Sequence, residues 1–245
     1  MKKTIITIIS LAIFNVGSTY AQDLQEILDK YFETAGQKKL LTLKTLVFSG
    51  KTLQMGMEMP FKTYQKRPNK SRMEVEIQGT MMVMAYDGEN GWAIQPWTGS
   101  ADPIDLVGPE LRSVKELADL DGAMWDYEKK GHQLELVGKD ELEGTEVYVL
   151  KLTRKDGDIS TFYVDSKKFV TLKMVNKTVI EGQEIEIEMH MSNYQEVEGI
   201  TYPFTTEQRM NSQVFMTIKI EEVSFNQELE DDMFTKPAPV SADEM

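Results

Sequence analysis

The chain has 245 residues, 27 Lys and Arg against 40 Asp and Glu for a net charge of −13, no cysteine, two histidines (His132 and His190) and sixteen methionines. Lacking cysteine, it can build no disulfide framework, thiolate metal site or thiol nucleophile. So acidic a chain is poorly suited to nucleic-acid phosphates, which call for clustered Lys and Arg.

Residues 1–21 have the form of a secretory signal peptide: Lys2 and Lys3, an apolar stretch from Ile5 to Phe14, and Thr19-Tyr20-Ala21 as a small-x-small cleavage site. The apolar run, about ten residues, is too short for a membrane span. Periplasmic export is therefore the expected localisation. A single domain is expected over 22–235, with a flexible tail at 236–245. The chain after Asp231, with Lys236-Pro237-Ala238-Pro239 and then Ser-Ala-Asp-Glu-Met, reads as frayed.

From Asp23 to Gly36, Leu24, Ile27, Leu28, Tyr31 and Phe32 fall at helical spacing, and Gly36 marks the stop. Leu40, Leu41 and Leu43 suggest a further short turn. Beyond Thr45 the period changes to two. Met73, Val75 and Ile77 alternate with Glu74 and Glu76; Ile185, Ile187, Met189 and Met191 alternate with Glu184, Glu186, Glu188 and His190. Side chains two apart share a face, so these are strands with one wet side and one dry side. About eleven such runs occur from residue 45 to 223, punctuated by pairs such as Asp87-Gly88, Glu181-Gly182 and Glu198-Gly199. The last, 200–223, is long enough to be two strands parted near Asn211-Ser212. Residues 104–130 lose the period, and Leu111, Val114, Leu117, Ala118 and Leu120 return to helical spacing. The expected fold is mainly β with helices (α+β). One long antiparallel sheet curls, with the N-terminal helix and the mid-chain helical segment on its concave side.

General acid–base catalysis wants a histidine or carboxylates with separated pKa values. His190 falls on the solvent side of its strand and His132 in a loop, and there is no nucleophile elbow, HExxH helix or Walker loop. No enzyme activity and no cofactor are expected.

Methionine is the anomaly. Met55, Met57 and Met59 alternate, and Met73, Met82, Met84, Met174, Met189, Met191, Met210 and Met216 also fall in strands, although methionine is not a preferred strand former. A flexible, polarizable side chain repacks around varied apolar partners, so a face lined with it suits acyl chains; an ordinary core is the other reading. A copper site from Met55-x-Met57-x-Met59 or Met189-His190-Met191 is weakened by alternation, which turns His190 away from its neighbours. Trp92, in the hairpin Tyr86–Pro96, is either core or the border of a pocket. The basic stretch Lys66-Arg67-Pro68-Asn69-Lys70-Ser71-Arg72 is either a solvated turn or a contact for an anionic headgroup or partner.

The stretch Gln65-Lys66-Arg67-Pro68-Asn69-Lys70-Ser71-Arg72, followed by Tyr86-Asp87-Gly88-Glu89-Asn90-Gly91-Trp92 and Pro96, resembles the periplasmic lipoprotein-localisation carriers (LolA-like) and their outer-membrane lipoprotein-sorting relatives. Ile27–Tyr31, Ala35-Gly36, Ser49-Gly50, Asp158 with Phe162–Asp165, Glu198–Ile200 with Pro203-Phe204, and Val223, Phe225-Asn226, Phe234 and Lys236-Pro237 extend the likeness over nearly the whole chain after the signal. The resemblance implies an incomplete antiparallel barrel of about eleven strands, closed by helices, with a cavity for lipid acyl chains. It makes 104–130 a lid and calls for a strand-borne arginine that holds it, with Arg67 and Arg72 as candidates for lid or headgroup contact. Met55, Met57, Met59, Met73, Met82, Met84, Trp92, Met189, Met191 and Met216 are then the expected lipid-binding residues. The missing cysteine favours the soluble carrier branch over the lipidated receptors. The expected function is transfer of lipoprotein acyl chains or other lipid toward the outer membrane, by a monomer between an inner-membrane donor and an outer-membrane acceptor. The alternative is a non-enzymatic envelope sensor or scaffold of the same fold that binds a protein partner.

Overall fold

The structure, a computed structural model, describes residues 16–180 and 183–239. Helix α1 (Val16–Ala35) buries Leu24, Ile27 and Leu28, the expected stripe. It continues through Ala21, the expected cleavage point; the apolar stretch before it lies outside the described residues, as do Glu181-Gly182 and the tail from residue 240. Gly36, at φ 75°, turns the chain into the short helix α2 (Gln37–Leu40).

The two-residue period then becomes strands: β1 (Thr45–Gln54), β2 (Met57–Lys66), β3 (Lys70–Ile77), β4 (Thr80–Tyr86), β5 (Gly91–Ile94) and β6 (Ile104–Asp105). Helix α3 (Gly108–Leu117) intervenes, with Pro109 in its first turn, where a fixed φ favours initiation. Then come β7 (Gln133–Leu142), β8 (Thr145–Thr153), β9 (Ile159–Asp165), β10 (Thr171–Ile180), β11 (Gln183–Val197), β12 (Ile200–Met210) and β13 (Gln213–Phe225). All thirteen form one antiparallel sheet in the order β6-β5-β4-β3-β2-β1-β13-β12-β11-β10-β9-β8-β7. Each half is a run of hairpins, and the halves join where the first strand pairs with the last. β6 and β7 remain as edges, so the sheet is not closed.

Thirteen strands replace the expected eleven or so. The 200–223 run divides at Asn211-Ser212, both in the left-handed region that a two-residue hairpin requires. The two residues of β6 are too short to show a period. Of 104–130 only α3 is helical; turns make up most of the remainder.

Register assigns the faces. Phe162, Met174, Met189, Gln208, Met216, Gln54 and Met57 are successive cross-strand partners from β9 to β2. Paired residues share a side, so these form a row across one face. Met191, Thr206, Ile218, Thr52 and Met59 form a second row beside it. The same face carries Thr63, Met73, Met84 and Ala93, again as cross-strand partners. Both long helices lie on it. α1 packs Leu24, Ile27 and Leu28 against Leu134, Leu150, Leu152, Phe162 and Val164, and α3 packs Val114 against Tyr86 and Ala93.

On the other face the last segment of the chain is pinned, contrary to the expected fraying after Asp231. Leu229 and Phe234 are buried against Val47. Lys66 and Lys70 pair with Asp231 at 2.8 and 3.0 Å, and Lys236 with Asp105 at 2.7 Å. The polar, proline-containing composition conceals two apolar anchors spaced to reach that face.

Candidate functional site

A cavity of about 850 Å³ lies between the helices and the concave face, within the roughly 300–1,000 Å³ usual for small-molecule sites. Its floor includes Phe162, Met174 and Met191. Tyr31 and Phe32 reach in from α1, Met124 and Trp125 from the turns after α3, and Tyr194 and Tyr202 from β11 and β12. Edge-to-face contacts stiffen the aromatic wall: Phe32 to Trp125 at 4.9 Å and Tyr31 to Phe32 at 5.5 Å between ring centres.

The wall is apolar on the α1, β9 and β10 side, while Arg112, Glu116, Asp121, Lys130, His132 and Arg154 line the side under α3. The Tyr194 hydroxyl donates to the Thr171 carbonyl at 2.5 Å, and the Thr171 hydroxyl donates to the Tyr31 oxygen at 3.4 Å. Burial pushes the pKa values of Tyr31, Tyr194 and Tyr202 upward, so all three are neutral phenols at neutral pH. The buried Tyr202 hydroxyl has no hydrogen-bond partner among the described residues, an unsatisfied polar atom in the wall of the cavity.

One arginine ties down the cover. Arg67, at the end of β2, donates from Nη1 and Nη2 to both carboxylate oxygens of Asp121, at 3.1 and 2.5 Å. It also donates to the carbonyls of Leu43 and Leu40, at 2.7 and 3.1 Å. α3 is held by the Ser71 hydroxyl, which donates to the Val114 carbonyl at 2.7 Å, and by Gln65, whose amide donates to the Leu117 carbonyl. Ion pairs link the same helix to the β8–β9 turn of the opposite half. Arg112 meets Asp158 at 2.6 Å, and Arg154 meets Glu116 at 3.4 Å. Burial raises the Glu116 pKa against the pull of Arg154. In the same group His132 is lowered by burial and by Arg154 and Lys130, and its Nδ1 accepts the Lys155 N–H at 3.2 Å.

The structure separates the sequence-derived candidates. Met57, Met59, Met73, Met82, Met84, Met189, Met191 and Met216 share the concave face, and Met191 lines the cavity directly. Met55 does not join them; it sits at the β1–β2 turn, 89% exposed. Trp92 lies on the opposite face, 1% exposed, and its indole donates to the Phe234 carbonyl at 2.7 Å. Arg72 is there too, bound to Glu74 and the Met233 carbonyl at 2.8 Å each and stacked over Trp92 at 5.6 Å. Its distance from the lid follows from alternation, since Arg72 pairs with Ala85, and Ala85 with Trp92. His190, turned outward, is 2.8 Å from Glu188. Among the described residues no group of three or more His, Cys, Asp or Glu is arranged to hold a metal ion.

Sequence reasoning did not single out Met124, Trp125, Tyr194 or Tyr202 as site residues. Tyr194 was hidden by Asn193, whose left-handed backbone (φ 52°) interrupts the alternation and turns the tyrosine toward Met191. Tyr31 and Phe32 are visible in the sequence as part of the helical stripe, which by itself does not assign them to a site.

A curled, unclosed antiparallel sheet with helices over a hollow is the architecture of the LolA-like fold. The crystal structure of a LolA superfamily protein from Nitrosomonas europaea is similar, with a TM-score of 0.58 and 16% identity over 86% of this chain and 97% of that one. A domain described as an outer membrane lipoprotein-sorting protein domain from Vibrio parahaemolyticus matches with a TM-score of 0.57 and 12% identity, over 89% and 97% of the two chains. A DUF1329 family protein from Desulfovibrio piger gives 0.59 and 14%, over 85% and 97%. At these identities the likeness is one of fold. No family model matches the sequence, and no curated protein matches it.

Proposed function

We propose that the protein is a non-enzymatic carrier that takes an acyl chain, on a lipoprotein or another lipid, against its concave methionine face and beneath α1 and α3. The observation that carries this reading is the register. Nine of the sixteen methionines, namely Met57, Met59, Met73, Met82, Met84, Met174, Met189, Met191 and Met216, fall on one side of a single sheet. Most are half-buried rather than sealed in a core. Each methylene moved from water to such a surface contributes about 0.8 kcal/mol. Unbranched thioether side chains can follow tails of different length. The neighbouring cavity has an aromatic wall for a tail, and Arg112, Lys130 and Arg154 on another side of it for a polar end.

The similar fold of a lipoprotein-sorting domain supports the same reading, as does the signal-like N-terminus, which would place the carrier in the periplasm between a donor and an acceptor membrane. Arg67, through Asp121, is the residue we assign to the lid. Titration with a fluorescent fatty acid tests the function. Saturable binding is expected, weakened at least tenfold by Met174→Glu or Met191→Glu with the fold retained. Absence of binding, with capture of a protein partner instead, would favour a sensor or scaffold.

A further inference from the structure

We infer that one end of the sheet is a membrane-docking rim, which seats the carrier on lipid surfaces poor in anionic headgroups. The β1–β2, β3–β4 and β12–β13 turns are neighbours in the sheet order and, because the strands are antiparallel, project from the same end. Each tip exposes apolar side chains: Met55 at 89% and Met57 at 41%, Met81 at 45%, and Met210 and Val214 at 43% and 49%. Trp97, 62% exposed, extends the row from a short helical turn, Pro96–Thr98, that packs beside β4. The β1–β2 and β3–β4 tips are in contact, with the Gln78 side-chain amide 3.9 Å from the Met57 sulfur. Six strands at the usual spacing make the row roughly 24 Å long.

Met55 serves neither packing nor turn geometry. It occupies the first position of a two-residue hairpin turn with φ 51°, where Asn or Asp is the favoured residue, and its side chain meets solvent. An apolar side chain in an unfavourable backbone state, with no burial to offset it, points to a partner outside the chain.

Charge identifies that partner. Although 27% of the chain is charged, 52–57, 77–86, 90–101 and 210–218 contain no charged residue. Those segments supply the three tips and the Trp97 turn; the next hairpin at the same end, β10–β11, carries Lys177, Glu184 and Glu186 and bounds the neutral rim, and the outer surface of β10–β12 bears Lys173, Glu188, His190, Glu207 and Arg209. A protein of net charge −13 is repelled by anionic surfaces, and neutral tips let apolar side chains enter the interface without worsening that repulsion. Tryptophan is the side chain most at home at the level of the headgroups. Met57 belongs both to this rim and to the concave face, so docking brings the methionine face to the bilayer.

The test is flotation of the full chain with vesicles of phosphatidylcholine alone, and with vesicles containing a third phosphatidylglycerol. The wild-type protein should float with the former and at least threefold less with the latter, and Trp97 fluorescence should shift to the blue. Replacing Met55, Met81 and Met210 together with Gln should reduce flotation at least tenfold while fluorescent fatty-acid uptake stays unchanged. That contrast separates failure of the rim from failure of the carrier reading. Wild-type protein that stays unbound with neutral vesicles, or a triple variant that floats equally well, overturns the assignment; the first result would leave a protein surface as the rim's partner.

Discussion

At Gly50 the two halves of the sheet meet without room for a side chain. The β1–β13 register shifts between Ser49 and Gly50, and a Cβ at Gly50 would run into the Lys219 carbonyl oxygen. Gly50→Ala should therefore cost about 1–3 kcal/mol, seen as a lower urea midpoint with an unchanged slope; an unaltered midpoint would show that the seam has slack. His132 gives a pH signature. Its folded pKa lies below the ordinary 6.5, so the unfolded chain takes up the proton first on acidification. Stability from this residue is full above about 6.5 and is lost as pH falls through that value toward the folded pKa. Glu116, raised above 4.5 by burial, acts in the opposite direction. Comparison with His132→Gln isolates the histidine: the variant's thermal midpoint should fall less between about pH 7.5 and 5.5, and equal falls would contradict this. At this scale the sequence told much about type and less about facing. The four-residue loop that sets Tyr86 opposite Gly91 places Ala93, not Trp92, on the methionine side. That consequence needs the pairing register, which alternation within one strand does not supply.

The elements that cover the two faces are held by different sets of anchors, which makes them separable by mutation. Arg67→Ala removes four hydrogen bonds to Asp121, Leu43 and Leu40 and should cost about 1–3 kcal/mol after screening. Amides of residues 118–125 should exchange faster while those of β8 and β9 do not; uniform exchange would contradict a lid role. On the opposite side, Phe234 is fully buried among Val47, Leu229, Tyr64 and Met233. Phe234→Ala should cost about 3–5 kcal/mol in urea unfolding, whereas a loss under 1 kcal/mol would mean the segment is only laid on the surface. Long periodic elements were the legible ones: β3 (Lys70–Ile77) and β11 (Gln183–Val197) contain the alternations Met73–Ile77 and Glu184–Met191. β6, with two residues, and the docked C-terminal segment, held by scattered contacts, carry no local period to read.

In the whole molecule the decisive event is the pairing of the first strand with the last, β1 with β13, which turns two runs of hairpins into one curved wall. Nothing local in either strand announces that partnership. The expectation of an incomplete barrel came from the resemblance to lipoprotein-localisation carriers, and the unclosed thirteen-strand sheet agrees with it. The methionine pattern was visible residue by residue, but only the joined sheet gathers it onto one face beside a cavity of about 850 Å³. Native mass spectrometry of protein stripped of lipid and then exposed to it tests this account most directly. The wild-type chain should retain a lipid mass, and Met174→Glu with Met191→Glu should lose it while staying folded. A wild-type chain that always flies at its bare polypeptide mass would contradict the account.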